Sequence, residues 1–166
     1  TTILRQARKQ LGDRLLVLDA GDTFQGTPVF NFFKGEAEYR AMDAAGYEAT
    51  TIGNHDLDEG MPNLRQQMNG RSFRMINANI RDASTHKPCF QPDWVVERHG
   101  HRIGIFGVMG EVNSWQSIAR KHREGLEIRP AVATAREETA RLRQMGCKTI
   151  VMLSHSGFEE DKALAQ

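Results

Sequence analysis

Three short strand-forming runs, each breaking into a cluster of glycine and polar residues, constrain this chain more than anything else in it. Leu15-Leu16-Val17-Leu18 runs into Asp19-Ala20-Gly21-Asp22-Thr23, Glu48–Ile52 into Gly53-Asn54-His55-Asp56-Leu57-Asp58, and Thr149–Leu153 into Ser154-His155-Ser156-Gly157. Runs of this length bounded by Gly and Asp clusters read as buried strands. Helical patterns lie between them. Residues 3–11 place Ile3, Leu4, Ala7 and Leu11 on one face ahead of Gly12, and residues 36–45 stop at Gly46. Residues 60–69 carry Pro62 in the first turn, where a missing N–H costs nothing. Residues 130–145 open at Pro130, repeat apolar Val132, Ala135, Leu142 and Met145, and close at Gly146; a last helix is predicted over 159–166. Asp93–His99 and Arg102–Val108 flank Gly100-His101 as a β-hairpin, and residues 109–129 read as a loop. Alternating strands and helices predict an α/β layer structure. The hairpin adds antiparallel pairing, which favours a mixed sheet or two sheets over a doubly wound one.

Composition narrows the partners. At 166 residues the chain is the size of about one domain, long enough to bury roughly 70% of its unfolded surface. Lys plus Arg number 22 against 21 Asp plus Glu, a near balance that gives no footprint for a nucleic-acid duplex or an anionic membrane. No apolar run approaches the ~18 residues of a membrane span. Thr1-Thr2-Ile3-Leu4-Arg5 lacks the basic-then-apolar order of a signal peptide, so localisation stays open. Cys89 and Cys147 form neither a disulfide framework nor a metal spacing, and a single bridge between them stays open.

Ligands of open α/β folds bind beyond the C-terminal ends of strands, so one geometric rule brings the three polar clusters to one place. Asp22 offers a carboxylate, Asn54 an amide oxygen and His155 an imidazole, a mixed oxygen and nitrogen set suited to a divalent ion such as Mn, Fe, Zn or Co. His55 beside Asn54 is a candidate general acid or transition-state stabiliser, with Asp58 placed to accept a hydrogen bond from its ring. Each feature also has a bland reading: an Asp after Gly is a common turn former, and Asn54 alone is a loop amide. His86, His99, His101 and His122 read as solvated, with His99 and His101 at most an incidental metal pair around Gly100. Phe24, Phe30, Phe32 and Phe33 read as packing around the first loop, with a stacking platform for a base as the weaker alternative. Arg5, Arg8 and Lys9 read as a solvated helix face, and neither cysteine has a local partner that would make it a nucleophile.

These motifs resemble a known family. Leu18–Pro28 (LDAGDTFQGTP) is similar to the second motif of the 5′-nucleotidase branch of the calcineurin-like metallophosphoesterases, and Gly46–Asp58 (GYEATTIGNHDLD) to its third. Asn77-Ala78-Asn79-Ile80 resembles a strand-end signature of that branch, and Leu153-Ser154-His155-Ser156-Gly157 the motif of its next metal-binding histidine. The resemblance implies layered α/β/β/α mixed sheets. It implies hydrolysis of nucleotide phosphate esters by water activated at two divalent metals (Mn, Zn, Fe, Co or Mg). Asp22 would bridge the metals, Asn54 and His155 would hold the second, and Asn54 and His55 would contact substrate. His55 with Asp58 would form the catalytic pair, while Asp56 and Asp19 match positions to which no chemistry is assigned.

The departures shape the expectation. The family opens with an Asp-x-His strand and closes its catalytic domain with Gly-His-x-His, and neither occurs here. Residues 1–166 are therefore expected to be part of a catalytic domain, incomplete at both ends, with unpaired strand edges that favour self-association. Two alternatives stand beside nucleotidase activity: a catalytically silent metal-binding module, or a relative acting on cyclic nucleotides, nucleotide sugars or sulfur esters.

Overall fold

The alternating runs resolve, in the computed structural model, into three small sheets covered by helices; residues 2–25 and 28–166 are described. The chain opens with α1 (Thr2–Leu11) and a 3₁₀ turn, Gly12–Arg14, then β1 (Leu18–Asp19), α2 (Pro28–Phe33), α3 (Glu36–Ala45) and β2 (Ala49–Thr50). A 3₁₀ turn at His55–Leu57 leads to α4 (Gly60–Met68), β3 (Arg74–Met75) and β4 (Ile80–Asp82). The hairpin β5 (Asp93–Arg98) and β6 (His101–Met109) follows, then α5 (Ser114–Ser117), α6 (Arg120–Arg123) and β7 (Leu126–Ile128). The chain closes with α7 (Ala131–Gln144), β8 (Thr149–His155) and α8 (Phe158–Leu164).

The first sheet is parallel, in the order β1-β2-β3, with Leu18 opposite Ala49 and Thr50 opposite Met75. The second is mixed, in the order β5-β6-β8: the hairpin pairs antiparallel and β8 lies parallel to β6, with Met109 opposite His155. β4 and β7 form an antiparallel pair of their own. Ala49, Ile76, Val96, Ile105 and Leu153 form one buried cluster, so the first two sheets pack face to face. α7 covers the outer face of the second sheet through Ala135 and Leu142 against Phe106 and Val108. Phe24, Tyr39, Leu57, Leu64, Phe73 and Trp115 fill the core on the other side. Burying side chains of this size stabilises by about 1.5–3 kcal/mol each. The fold is thus mixed α/β with several layered sheets.

Several boundaries differ from the sequence reading. Only Leu18 of the first run joins a ladder, together with Asp19 after it, since an apolar run reports burial and not pairing; Glu48 N still donates to the Val17 carbonyl at 2.9 Å. The hairpin turns at His99-Gly100, both with positive φ (49° and 75°), so His101 begins β6 instead of lying in the turn. Residues 109–129 are not a plain loop: α5, α6 and β7 lie within them. β8 runs two residues further than predicted, which puts His155 at a strand end. Arg8 is exposed, as the α1 face predicts, and its guanidinium also donates to the carbonyls of Ala45 and Gly46, tying α1 to the end of α3. His122 buries its Nδ1 without a hydrogen-bond partner among the described residues, and His99 and His86 pair with Asp13 and Glu127 at 2.7 and 2.8 Å. Both cysteines are free thiols. The aromatic cluster splits: Phe24 and Phe30 stack in the core with centroids 5.6 Å apart, while Phe32 and Phe33 are exposed. Gly26 and Thr27 of the first motif lie outside the described residues.

Candidate functional site

The first two strand ends meet backbone to backbone. A Cβ on Gly53 would lie 2.2 Å from Asp22 Oδ1 and 2.3 Å from its nitrogen, and one on Gly21 would lie 2.4 Å from Gly53 N. Only two residues without side chains allow that approach. Across it, the His55 N–H donates to Asp22 Oδ1 at 2.8 Å. β8 then brings in the third cluster. His155 Nδ1 lies 2.8 Å from the Ala20 carbonyl, and its Nε2 lies 3.1 Å from Asn54 Oδ1 and 3.2 Å from Asp22 Oδ2. Asp22, Asn54 and His155, far apart in sequence, therefore converge on one point.

The hydrogen-bond chemistry of that point is one-sided. A carbonyl can only accept, so the bond to Ala20 puts a proton on His155 Nδ1 and leaves Nε2 as the lone pair of the neutral ring. Facing it are an amide oxygen and a carboxylate oxygen, both acceptors. Such a triad needs a cation between its members: a second proton on the imidazole, or a metal ion. Burial opposes charge on His155, but Asp22 outweighs it and raises the imidazole above its ordinary pKa. Burial likewise pushes Asp22 up, and the bonds from His155 and the His55 N–H outweigh it, leaving the carboxyl below its ordinary value.

The donor set also fits a divalent ion by type, with carboxylate and amide oxygens and an imidazole whose other N–H is anchored on a carbonyl. Among the described residues no group of three or more His, Cys, Asp or Glu is placed to hold a metal. The triad contains only Asp22 and His155 of those types, its third member being an amide.

His55 stands beside the triad on the 3₁₀ turn that follows Asn54. Its Nδ1 lies 2.8 Å from Asp58 Oδ2, one helical turn further on, and this fixes the ring. The sequence reading assigned no chemistry to Asp56, yet it ties the site together. Its carboxylate is 1% exposed and accepts the N–H groups of Gly53 at 2.8 Å and of Asp22 and Thr23 at 3.0 Å. Burial pushes its pKa up to about 6 against the pull of those donors. The reach from Asp56 back over three residues to Gly53 resembles a capping box and was the available signal. Asp19 works similarly, accepting Gly21 N at 2.9 Å and the Thr50 hydroxyl at 2.8 Å, which sets the turn that presents the Ala20 carbonyl.

Known proteins share sequence and fold with this chain. A 5′-nucleotidase of Diplobatis ommata is 32% identical over 92% of this chain. The structure of a 5′-nucleotidase precursor from Thermus thermophilus superposes with a TM-score of 0.82, at 31% identity over 98% of this chain and 32% of that one. Over nearly its whole length the chain is similar to 5′-nucleotidases. A calcineurin-like phosphoesterase from Bacillus subtilis shares the fold, with a TM-score of 0.78 at 23% identity over 95% of this chain and 52% of that one. No protein-family model matches the chain. It spans 27% of the Diplobatis relative's length, so most of that protein has no counterpart here.

Proposed function

We propose that these residues form part of the catalytic domain of a metal-dependent phosphoesterase acting on nucleotide phosphate esters. Asp22, Asn54 and His155 would hold a divalent ion, with Asp22 shared with a second ion whose other ligands lie outside this chain. The observation that carries the reading is the convergence of three lone-pair donors, with Asp22 Oδ2 and Asn54 Oδ1 both within 3.2 Å of His155 Nε2. A bound divalent ion would supply Lewis-acid charge, activating water and neutralising the phosphoryl oxygens. The chain's own residues do the rest. The Ala20 carbonyl holds the His155 tautomer, and the Nδ1 bond from His55 to Asp58 turns Nε2 outward to donate to the substrate's leaving oxygen. Asp58 keeps the ring in that orientation through its 2.8 Å contact with Nδ1.

The donor count favours a second reading for these 166 residues by themselves: a one-ion binding module with no turnover. A calorimetric Mn²⁺ titration with phosphate release from a nucleoside 5′-monophosphate tests both. Micromolar binding that Asp22→Ala abolishes supports the metal site, and no binding by a folded chain overturns it. Where turnover is measurable, His55→Ala should lower it about a hundredfold or more with metal content intact. Equal turnover would remove His55 from the mechanism, and binding without turnover would favour the module.

A further inference from the structure

We infer that Asp56 is the positioning residue of this site: its buried carboxylate pins the Gly53, Asp22 and Thr23 backbone and so holds Asp22 in the conformation that aims it at His55 and His155. Asp22 is a non-glycine residue at φ 62°, in the left-handed region where its Cβ is crowded. Asp tolerates this region better than most residues do, and the hydrogen bonds around it decide how firmly it is held there. The N–H groups on both sides of the Asp22 Cα, its own and that of Thr23, end on the two oxygens of Asp56, each at 3.0 Å. The third bond, from Gly53 N at 2.8 Å, fastens the same carboxylate to the loop carrying Asn54. One side chain thus sets both the twist of Asp22 and its distance from Asn54. With its backbone fixed, Asp22 presents Oδ1 to the His55 N–H at 2.8 Å and Oδ2 to His155 Nε2 at 3.2 Å.

A side chain of the same shape without the second acceptor does not do this. An Asn at 56 offers one acceptor oxygen where the carboxylate offers two, and turns an NH₂ toward backbone N–H groups. Asp56 is 1% exposed, so bulk solvent does not replace the lost acceptor. The inference rests on the proposed ligand roles of Asp22, Asn54 and His155 only where metal affinity is read.

The test uses the 166-residue chain carrying Asp56→Asn, with Leu142→Ala, in the core beneath α7, as a destabilised control far from the loops. In the metal-free chains, NMR reads the three-bond HN–Hα coupling of Asp22 and the exchange protection of the Gly53, Asp22 and Thr23 amides. Asp56→Asn should move the coupling out of the left-handed range and lower all three protections, and Leu142→Ala should do neither. Mn²⁺ calorimetry should show affinity falling about tenfold or more in Asp56→Asn alone. Unchanged Asp22 coupling in a folded Asp56→Asn chain overturns the proposal, whatever the metal result. If the unmodified chain binds no Mn²⁺, the metal reading fails while the NMR readout still decides this one. Should Asp56→Asn unfold, Asp22→Gly is added, because glycine accepts positive φ without strain. Recovery of the fold in the double variant supports the role of Asp56, and failure to recover it overturns the role.

Discussion

Asp56 and Asp82 perform one task in opposite surroundings. Each is a carboxylate that gathers nearby donors to hold a turn. Asp56, within the strand-end cluster, accepts the backbone N–H groups of Gly53, Asp22 and Thr23. Asp82, at the end of β4, accepts the N–H and hydroxyl of Ser84 at 3.0 and 2.6 Å and those of Thr85 at 2.8 and 2.9 Å. Their acidities diverge all the same. Asp82 sits on the surface, and the Ser84 hydroxyl with the Thr85 N–H and hydroxyl draws its pKa down to about 2. Asp56 is buried, and desolvation carries it up to about 6 despite its donors. Hydrogen bonding is thus comparable in the two, and water decides which way each carboxylate moves. The surface turn gains stability from its charge. The strand-end cluster holds a charge that burial disfavours, because the acceptor geometry is needed there.

Truncation should separate them most. Asp56→Ala leaves three N–H groups without an acceptor beside a crowded left-handed residue, and breaking such a buried network costs about 3 kcal/mol. Asp82→Ala leaves donors that water can reach, so its loss should be a small fraction of that. Urea unfolding of the two variants beside the unmodified chain measures both. Equal losses would mean that solvent reaches Asp56 as easily as Asp82, and the comparison would collapse.

Of similar size is the pH dependence of Asp56. Its folded pKa, about 6, lies above the ordinary 3.8, so the folded chain binds more protons than the unfolded chain between those values. Stability from this group therefore falls as pH rises from about 4 to about 6, by about 3 kcal/mol in all, and is level above that. Asp56→Asn should flatten that part of the stability profile. A slope that persists in the variant would assign it to other groups.

The same contrast explains what the sequence made legible. Asp22, Asn54, His55 and His155 stood out because each follows a run that reads as a strand, and strand ends are where α/β folds place ligands. The runs themselves announced burial, which is why Leu15–Leu18 looked like a full strand although only Leu18 of it pairs. β7 stayed hidden because three residues carry no period and its partner, Ile80–Asp82, is remote in sequence. α2 stayed hidden because Pro28-Val29-Phe30-Asn31-Phe32-Phe33 is apolar on nearly every side and shows no helical face. Asp56 carries no such mark, for a different reason. Its work is done on backbone N–H groups of a loop remote in sequence, and only its short reach back to Gly53 leaves a trace in local spacing.

The smallest effect belongs to Asp82, and its sign is opposite. Here the folded pKa, about 2, lies below the ordinary 3.8, so the unfolded chain binds more protons in that window. The contribution of Asp82 is complete above about pH 4 and fades as pH falls toward 2, the reverse of the trend for Asp56 between 4 and 6. Exposure to solvent keeps the size modest. Side-chain carboxyl NMR titration of the folded chain should place the Asp82 midpoint near 2, and Asp82→Asn should remove the acid-side loss of stability while leaving the pH 4–6 slope alone. If Asp82 titrates near its ordinary value, the Ser84 and Thr85 donors turn to water in solution. The turn after β4 would then be held by the Asp82 carbonyl, which accepts His86 N at 2.8 Å, and not by the carboxylate.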